Sequence, residues 1–264
     1  MFGMFRSLWQ YRYFVSSSIR NELVSRFTRS KLGGIWMIIN PLAQVAIYAL
    51  ILGNVLAAKL PGIDNKHAYP IYLMSGLLAW TLFSEIIGRC LNLFIEQGNL
   101  MKKMQFPRIT LPAIVVGSNL LNNALLFISM LGIFALLGHH FSIAMLWLMP
   151  LTIILTGFAL GIGLALGVTN VFVRDLGHAV PILLQVWFWF TPIVYPATII
   201  PEDYRHWMAF NPIYHFTNAY QDILVYGRPP EVGGIVIIGV SSLLLLLLSL
   251  FLFRRSSEEM VDVL

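Results

Sequence analysis

Few side chains in this sequence are of a type and spacing that supports chemistry. His139 and His140 are the first pair to weigh, as metal ligands. Adjacent residues on a helix point apart, and neither a carboxylate nor a cysteine accompanies the two histidines in their turn, so the set is a poor fit to a metal ion. Ser, His and Asp all occur, yet no GxSxG elbow selects a catalytic triad. No GxxxxGK(S/T) loop occurs either, so the chain does not bind and hydrolyse ATP in the P-loop manner. Cys90 stands alone, which excludes a disulfide framework within one chain. Glu85 and Arg89, one helical turn apart, are expected to form a structural i,i+4 pair near one membrane face. The remaining signal is aromatic. Trp187, Phe188, Trp189, Phe190 and Tyr195 are followed by Tyr204, Trp207, Phe210, Tyr214, Phe216, Tyr220 and Tyr226. Such rings offer the C–H face of a sugar an apolar platform, while Trp N–H and Tyr O–H groups bond its hydroxyls. An aromatic belt at the lipid headgroups accounts for the same residues equally well.

The elements that position these residues follow from hydropathy. The 264 residues are 58% hydrophobic and 11% charged, with a mean hydropathy of +0.77. A soluble fold of this size cannot hide so much apolar surface. A crossing needs roughly 20 apolar residues. Stretches with little or no charge therefore predict an all-α membrane protein of six transmembrane helices, over 33–58, 69–88, 109–137, 141–173, 176–191 and 233–253. The long stretch after Arg108 divides at Gly138, His139 and His140, a polar turn. Every Asp, Glu, Lys and Arg is expected at a span end or in a loop, which argues against coupling to protons or sodium. With both termini cytoplasmic, thirteen Lys and Arg residues fall inside and four, Lys59, Lys66, Arg205 and Arg228, outside. The net charge of +5 thus reflects topology and anionic lipid rather than nucleic-acid binding.

Three further segments stand out. Residues 1–31 carry recurrent basic residues, unlike a cleavable signal peptide, and Phe14, Ile19, Leu23, Val24 and Phe27 recur at helical spacing. An amphipathic helix along the cytoplasmic interface fits, as does a plain topogenic anchor. Residues 89–108 read as a short surface helix stopped before Pro107, either a docking loop or a solvated connector. Pro181, Pro192, Pro196 and Pro201 break up the fifth span, and 192–227 alternates apolar patches with Pro and polar residues. Short outer re-entrant helices are expected there, with an ordinary periplasmic loop as the alternative.

Three stretches together resemble the type-2 ABC exporter permeases that move O-antigen, capsule and teichoic acid chains. They are NELVSRFTRSKLGGIWMIINPL from Asn21, YLMSGLLAWTLFSEIIGRCLNLFIEQGNLMKKMQFPRITLP from Tyr72, and NVFVRDLGHAVPILLQVWFWFTPIVYPATIIPEDYRHWMAFNPIYHF from Asn170. The resemblance spans essentially the whole chain. It implies a homodimer in the bacterial inner membrane, two copies of a cytoplasmic ABC ATPase that carry the ATP and Mg2+, and no cofactor in this chain. It also implies that Glu96, Gln97, Asn99, Leu100, Lys102, Lys103, Phe106 and Arg108 lie in the loop that receives the ATPase stroke. Arg20, Arg26 and Arg29 of the interfacial helix would flank that loop and meet lipid phosphates. Trp187, Trp189, Phe190 and Tyr195 are then expected on the path of a lipid-linked polysaccharide, and Tyr204, Trp207, Tyr214 and Phe216 at its outer gate. A small-molecule or lipid exporter of the same architecture, and a membrane-embedded glycan or lipid transferase, are the competing functions.

Overall fold

Inside hydrocarbon a chain must satisfy its own backbone N–H and C=O groups, and helices do so within one segment. The computed structural model is built accordingly. It describes residues 2–27, 36, 39, 43, 46, 47, 68–103, 106–136, 138, 139, 141–257 and 259–263. The expected span at 33–58 lies outside these apart from five residues.

Two helices, α1 (Phe2–Gln10) and α2 (Arg12–Phe27), precede α3 (Ala68–Glu96), the short α4 (Gly98–Lys103) and α5 (Thr110–Leu136). α5 ends at a turn in which Gly138 takes a φ of 75°, a left-handed conformation that a side chain would strain. A 3-10 turn (Ile143–Trp147) leads into α6 (Leu148–Phe172), followed by α7 (Leu176–Trp189), α8 (Glu202–Arg205), α9 (Pro212–Leu224), α10 (Val232–Ser256) and α11 (Glu259–Val263). Among the described residues, α3, α5, α6 with its leading turn, and α10 are long and apolar enough to cross a membrane. The 14 residues of α7 rise only about 21 Å, short of the roughly 30 Å of hydrocarbon.

Lipid tails are as apolar as leucine, so close packing and polar contacts hold such helices together. α6 lies at the centre, with α3 along one face and α10 along another. Its glycines allow both approaches. A Cβ on Gly167 would sit 2.2 Å from the Cys90 carbonyl oxygen of α3, and one on Gly161 would sit 3.1 Å from the backbone nitrogen of Leu246 on α10. Buried amides add interhelical bonds at 2.9 Å, from Asn170 Nδ2 to the Leu91 carbonyl and from Asn123 Nδ2 to the Leu78 carbonyl.

α1, α2, α4 and α11 gather at one end of the bundle, here the near end, and 192–227 forms the far end. α3 runs on to Glu96, two turns past the boundary that the charge of Arg89 suggests. That charge is neutralised in place, which corrects the expected pairing with Glu85. Arg89 Nη2 lies 2.5 Å from Glu22 Oε1 of α2, and its Nη1 donates to Ser118 Oγ of α5 at 2.6 Å. The physical reason is reach. α2 packs across α5, with Ile19 seated so closely at Gly117 that a Cβ there would come 2.3 Å from its Cδ1, and this carries Glu22 to the guanidinium. Glu85 and Arg89 consequently lie within the α3 helix instead of at its end.

Candidate functional site

The near-end connection between α3 and α5 is two-sided. Glu96, Asn99 and Lys102, spaced by three, are exposed, whereas Gly98 and Met101 are buried and Leu100 packs on the core. Gln97 sits half-buried at the break between α3 and α4, and Lys103 closes α4. The Phe106 ring meets Phe14 of α2 with centroids 6.0 Å apart. The Arg108 guanidinium donates to the carbonyl of Ser257 at the end of α10. Three of the expected docking residues therefore face outward, while Phe106 and Arg108 turn toward the chain's two terminal segments. Arg20 is exposed on α2; the Arg26 side chain and all of Arg29 lie outside the described residues. Arg12 lies over the exposed rings of Trp9 and Tyr13, with its guanidinium carbon 5.1 and 4.6 Å from their centroids.

α7 stops at Trp189 because Pro192 brings no N–H and biases the residue before it away from helix. The carbonyl of Pro192 then faces a second loss, since position 196, its helical donor, is also proline. Other elements make good the deficit. Tyr72 Oη of α3 and Gln221 Nε2 of α9 both donate to that carbonyl, at 3.2 and 3.3 Å. Tyr69 Oη donates to the carbonyl of Val194.

The four consecutive rings at the end of α7, the last of them its C-cap residue Phe190, divide by helix geometry. Trp187 and Phe188 turn inward and stack edge-on against Phe83 and Trp80, at 5.3 and 5.4 Å. Trp189 and Phe190 are 58% and 65% exposed. Tyr195 is half-buried and donates to the Trp189 carbonyl at 2.7 Å. An apolar groove of about 420 Å3 opens beside this helix, lined by Ile87, Ile162, Leu166, Val180, Leu183 and Phe190.

In the far-end segment, Tyr204 and Trp207 are exposed, Tyr214 is half-buried and Phe216 is fully buried, its ring 5.9 Å from Phe158. Burial raises the pKa of Tyr214, the charge of Asp222 adds to the rise and Arg205 opposes it. Burial alone raises that of Tyr195. Both phenols thus stay protonated as donors near neutral pH. His139 Nε2 lies 2.8 Å from the carbonyl of Leu224, the last residue of α9, and so serves as a cap to that helix. Among the described residues no group of three or more His, Cys, Asp or Glu gathers to hold a metal ion.

Sequence reasoning passes over Asn211. Its Oδ1 accepts from Trp187 Nε1 at 2.9 Å and from the Ile213 amide at 3.2 Å, and its Nδ2 donates to Thr191 Oγ1 at 3.0 Å. One side chain thus joins the end of α7 to the start of α9. The Asn-Pro pair at 211–212 is an N-cap followed by proline in the first turn, a signal that points to this helix start. Nothing in the local sequence marks its bond to Trp187.

A family model described as ABC-2 type transporter matches residues 13–225. The chain is 31% identical over 268 residues to an O-antigen export system permease protein RfbA of Myxococcus xanthus, covering 99% of both chains. It is 26% identical over 248 residues to an RfbA of Klebsiella pneumoniae that carries the same description, covering 92% of both. Against a polysialic acid transport protein KpsM of Escherichia coli it is 26% identical over 249 residues, 94% of this chain and 95% of that one.

Proposed function

The chain belongs to the ABC-2 type transporter family, and from that premise we propose that it is the membrane-spanning subunit of an ATP-driven exporter of lipid-linked polysaccharide. The observation that carries this reading is the similarity, from end to end of both chains, to an O-antigen export permease. The chain's part is transport, and hydrolysis of ATP with its Mg2+ takes place on a separate ATPase subunit.

In this proposal six helices cross the bacterial inner membrane, with 33–58 and the proline-broken α7 added to the four long helices. The near end and both termini are cytoplasmic, and 192–227 forms a re-entrant outer segment. Two copies of the chain pair with each other and with two ATPase subunits. The exposed row of Glu96, Asn99 and Lys102 supports a docked ATPase there, since α4 presents a polar face outward while Met101 anchors it. The stroke arriving at α4 moves the bundle and rocks the two copies apart, and differential binding in the two states carries the coupling. Trp189 and Phe190, exposed at the end of α7, offer rings to the passing glycan, with Tyr195 behind them and Trp187 buttressing the helix from within. Tyr204, Trp207 and Tyr214 border the outer gate, with Phe216 packed beneath them. Arg20 on α2 is placed to meet lipid phosphates.

The test is deletion of the chain in cells, scored by where lipid-linked polysaccharide accumulates, together with purification of the tagged chain. Accumulation at the inner face and co-purification of an ATPase are expected. Normal glycan export without the chain, and no ATPase partner, would overturn the proposal. Topology is read by single-cysteine labelling, for which the fully buried Cys90 is a quiet background. Cysteines at 102 and 207 should react from opposite sides of the membrane.

A further inference from the structure

α4 is a helix of six residues, too short to be stable by itself. Its position must come from what packs on it. Among the described residues the end of α3 packs on it, and so does the C-terminal α11, which folds back against both α4 and α6. Met260 of α11 is 0% exposed, in the same core cluster as Met101 of α4. Beside it the Arg108 guanidinium, at the exit of the α4 loop, holds the carbonyl of Ser257, a cation set at the C-terminal end of α10. Phe94 near the end of α3 stacks on Phe253 near the end of α10, with centroids 5.4 Å apart and planes 23° from parallel. The near end of α10 is thus fastened to the loop on both sides of α4. α10 in turn packs along α6, on the face that carries Gly161.

We propose that the C-terminal segment is a brace: Met260, with the Arg108–Ser257 contact, ties α4 to α10, so that displacement of α4 is passed to α10 and α6. A short helix on an unbraced loop would absorb a push by bending. With the brace, the push acts on two long helices at once. The inference rests on the proposed docking of an ATPase at α4, and it adds the tail as the element that makes the docking productive.

The experiment uses the full chain with its ATPase in proteoliposomes, comparing Met260→Asp and Met260→Leu with the parent. A charge in the core site should break the packing, while leucine conserves it. Met260→Asp should retain the ATPase and its hydrolysis but lose export, and amides 98–103 should exchange about tenfold faster with solvent. Met260→Leu should behave as the parent in every readout. Should Met260→Asp fail to accumulate, Met260→Ala takes its place with the same readouts. Export at the parent level, or unchanged exchange over 98–103, would overturn the brace. Hydrogen exchange is also read on the chain alone, so failure of the brace is distinct from failure of the parent chain to retain an ATPase.

Discussion

Two residues show how differently similar side chains act in this bundle. Trp187 and Trp189 are two positions apart, yet the first is bonded through Nε1 to Asn211 and packed on Phe83, while the second is 58% exposed. Trp187→Phe keeps an aromatic ring but loses part of the packed indole together with its bond to Asn211, a cost of about 1–3 kcal/mol. It should lower the thermal midpoint of the detergent-purified chain by a few degrees. Trp189→Ala should leave that midpoint unchanged and reduce export; normal export by a correctly inserted Trp189→Ala variant would remove that residue from the path. The backbone sets a harder limit at Gly167, where the atom in the way is the Cys90 carbonyl oxygen and not a movable side chain. Gly167→Val should prevent accumulation of folded chain. Gly132→Ala, on a helix surface with nothing within 4 Å, should be neutral in the same fluorescence-detected chromatography.

Between elements, polar contacts fasten what proline has broken. Tyr72 and Gln221, from α3 and α9, share the one carbonyl of Pro192. Either alone leaves that acceptor satisfied, so Tyr72→Phe and Gln221→Leu should each be mild. The double variant orphans a buried carbonyl and should cost about 1–3 kcal/mol more than the sum of the singles. Limited proteolysis of 192–211 measures it, and additive effects would show that the carbonyl does not depend on these two donors. The ion pair between α2 and α3 follows a related logic. Glu22→Arg and Arg89→Glu should each release α2 from the bundle, seen as faster proteolysis of the N-terminal segment. The double exchange should restore part of the protection, because the Ser118 hydroxyl, which accepts from the guanidinium and donates to its own helix, can turn its O–H toward a carboxylate.

At the scale of the molecule, the near end joins both terminal segments to one loop, through Phe14 on Phe106 and Ser257 on Arg108, and the far end is built around a helix that proline stops short. Composition and charge-free length were enough to determine a helical membrane protein, because the hydrocarbon imposes one rule on every backbone group. They also located the turn at Gly138 and the breaks near Pro192, since these effects act within a few residues of their cause. Family membership was legible as well, carried by three motifs in order along the chain. The partner of Arg89 was not. The local rule offered Glu85, one turn away, but only the docking of Ile19 on Gly117 brings Glu22 within reach. Nor does the sequence reveal which of four adjacent rings face inward, how Asn211 bridges α7 and α9, or that Met260 is core. Each depends on which helices become neighbours. That is decided by close packing at Gly161 and Gly167 and by buried amides far apart in sequence, for in lipid the apolar effect that defines a span does not choose its partner.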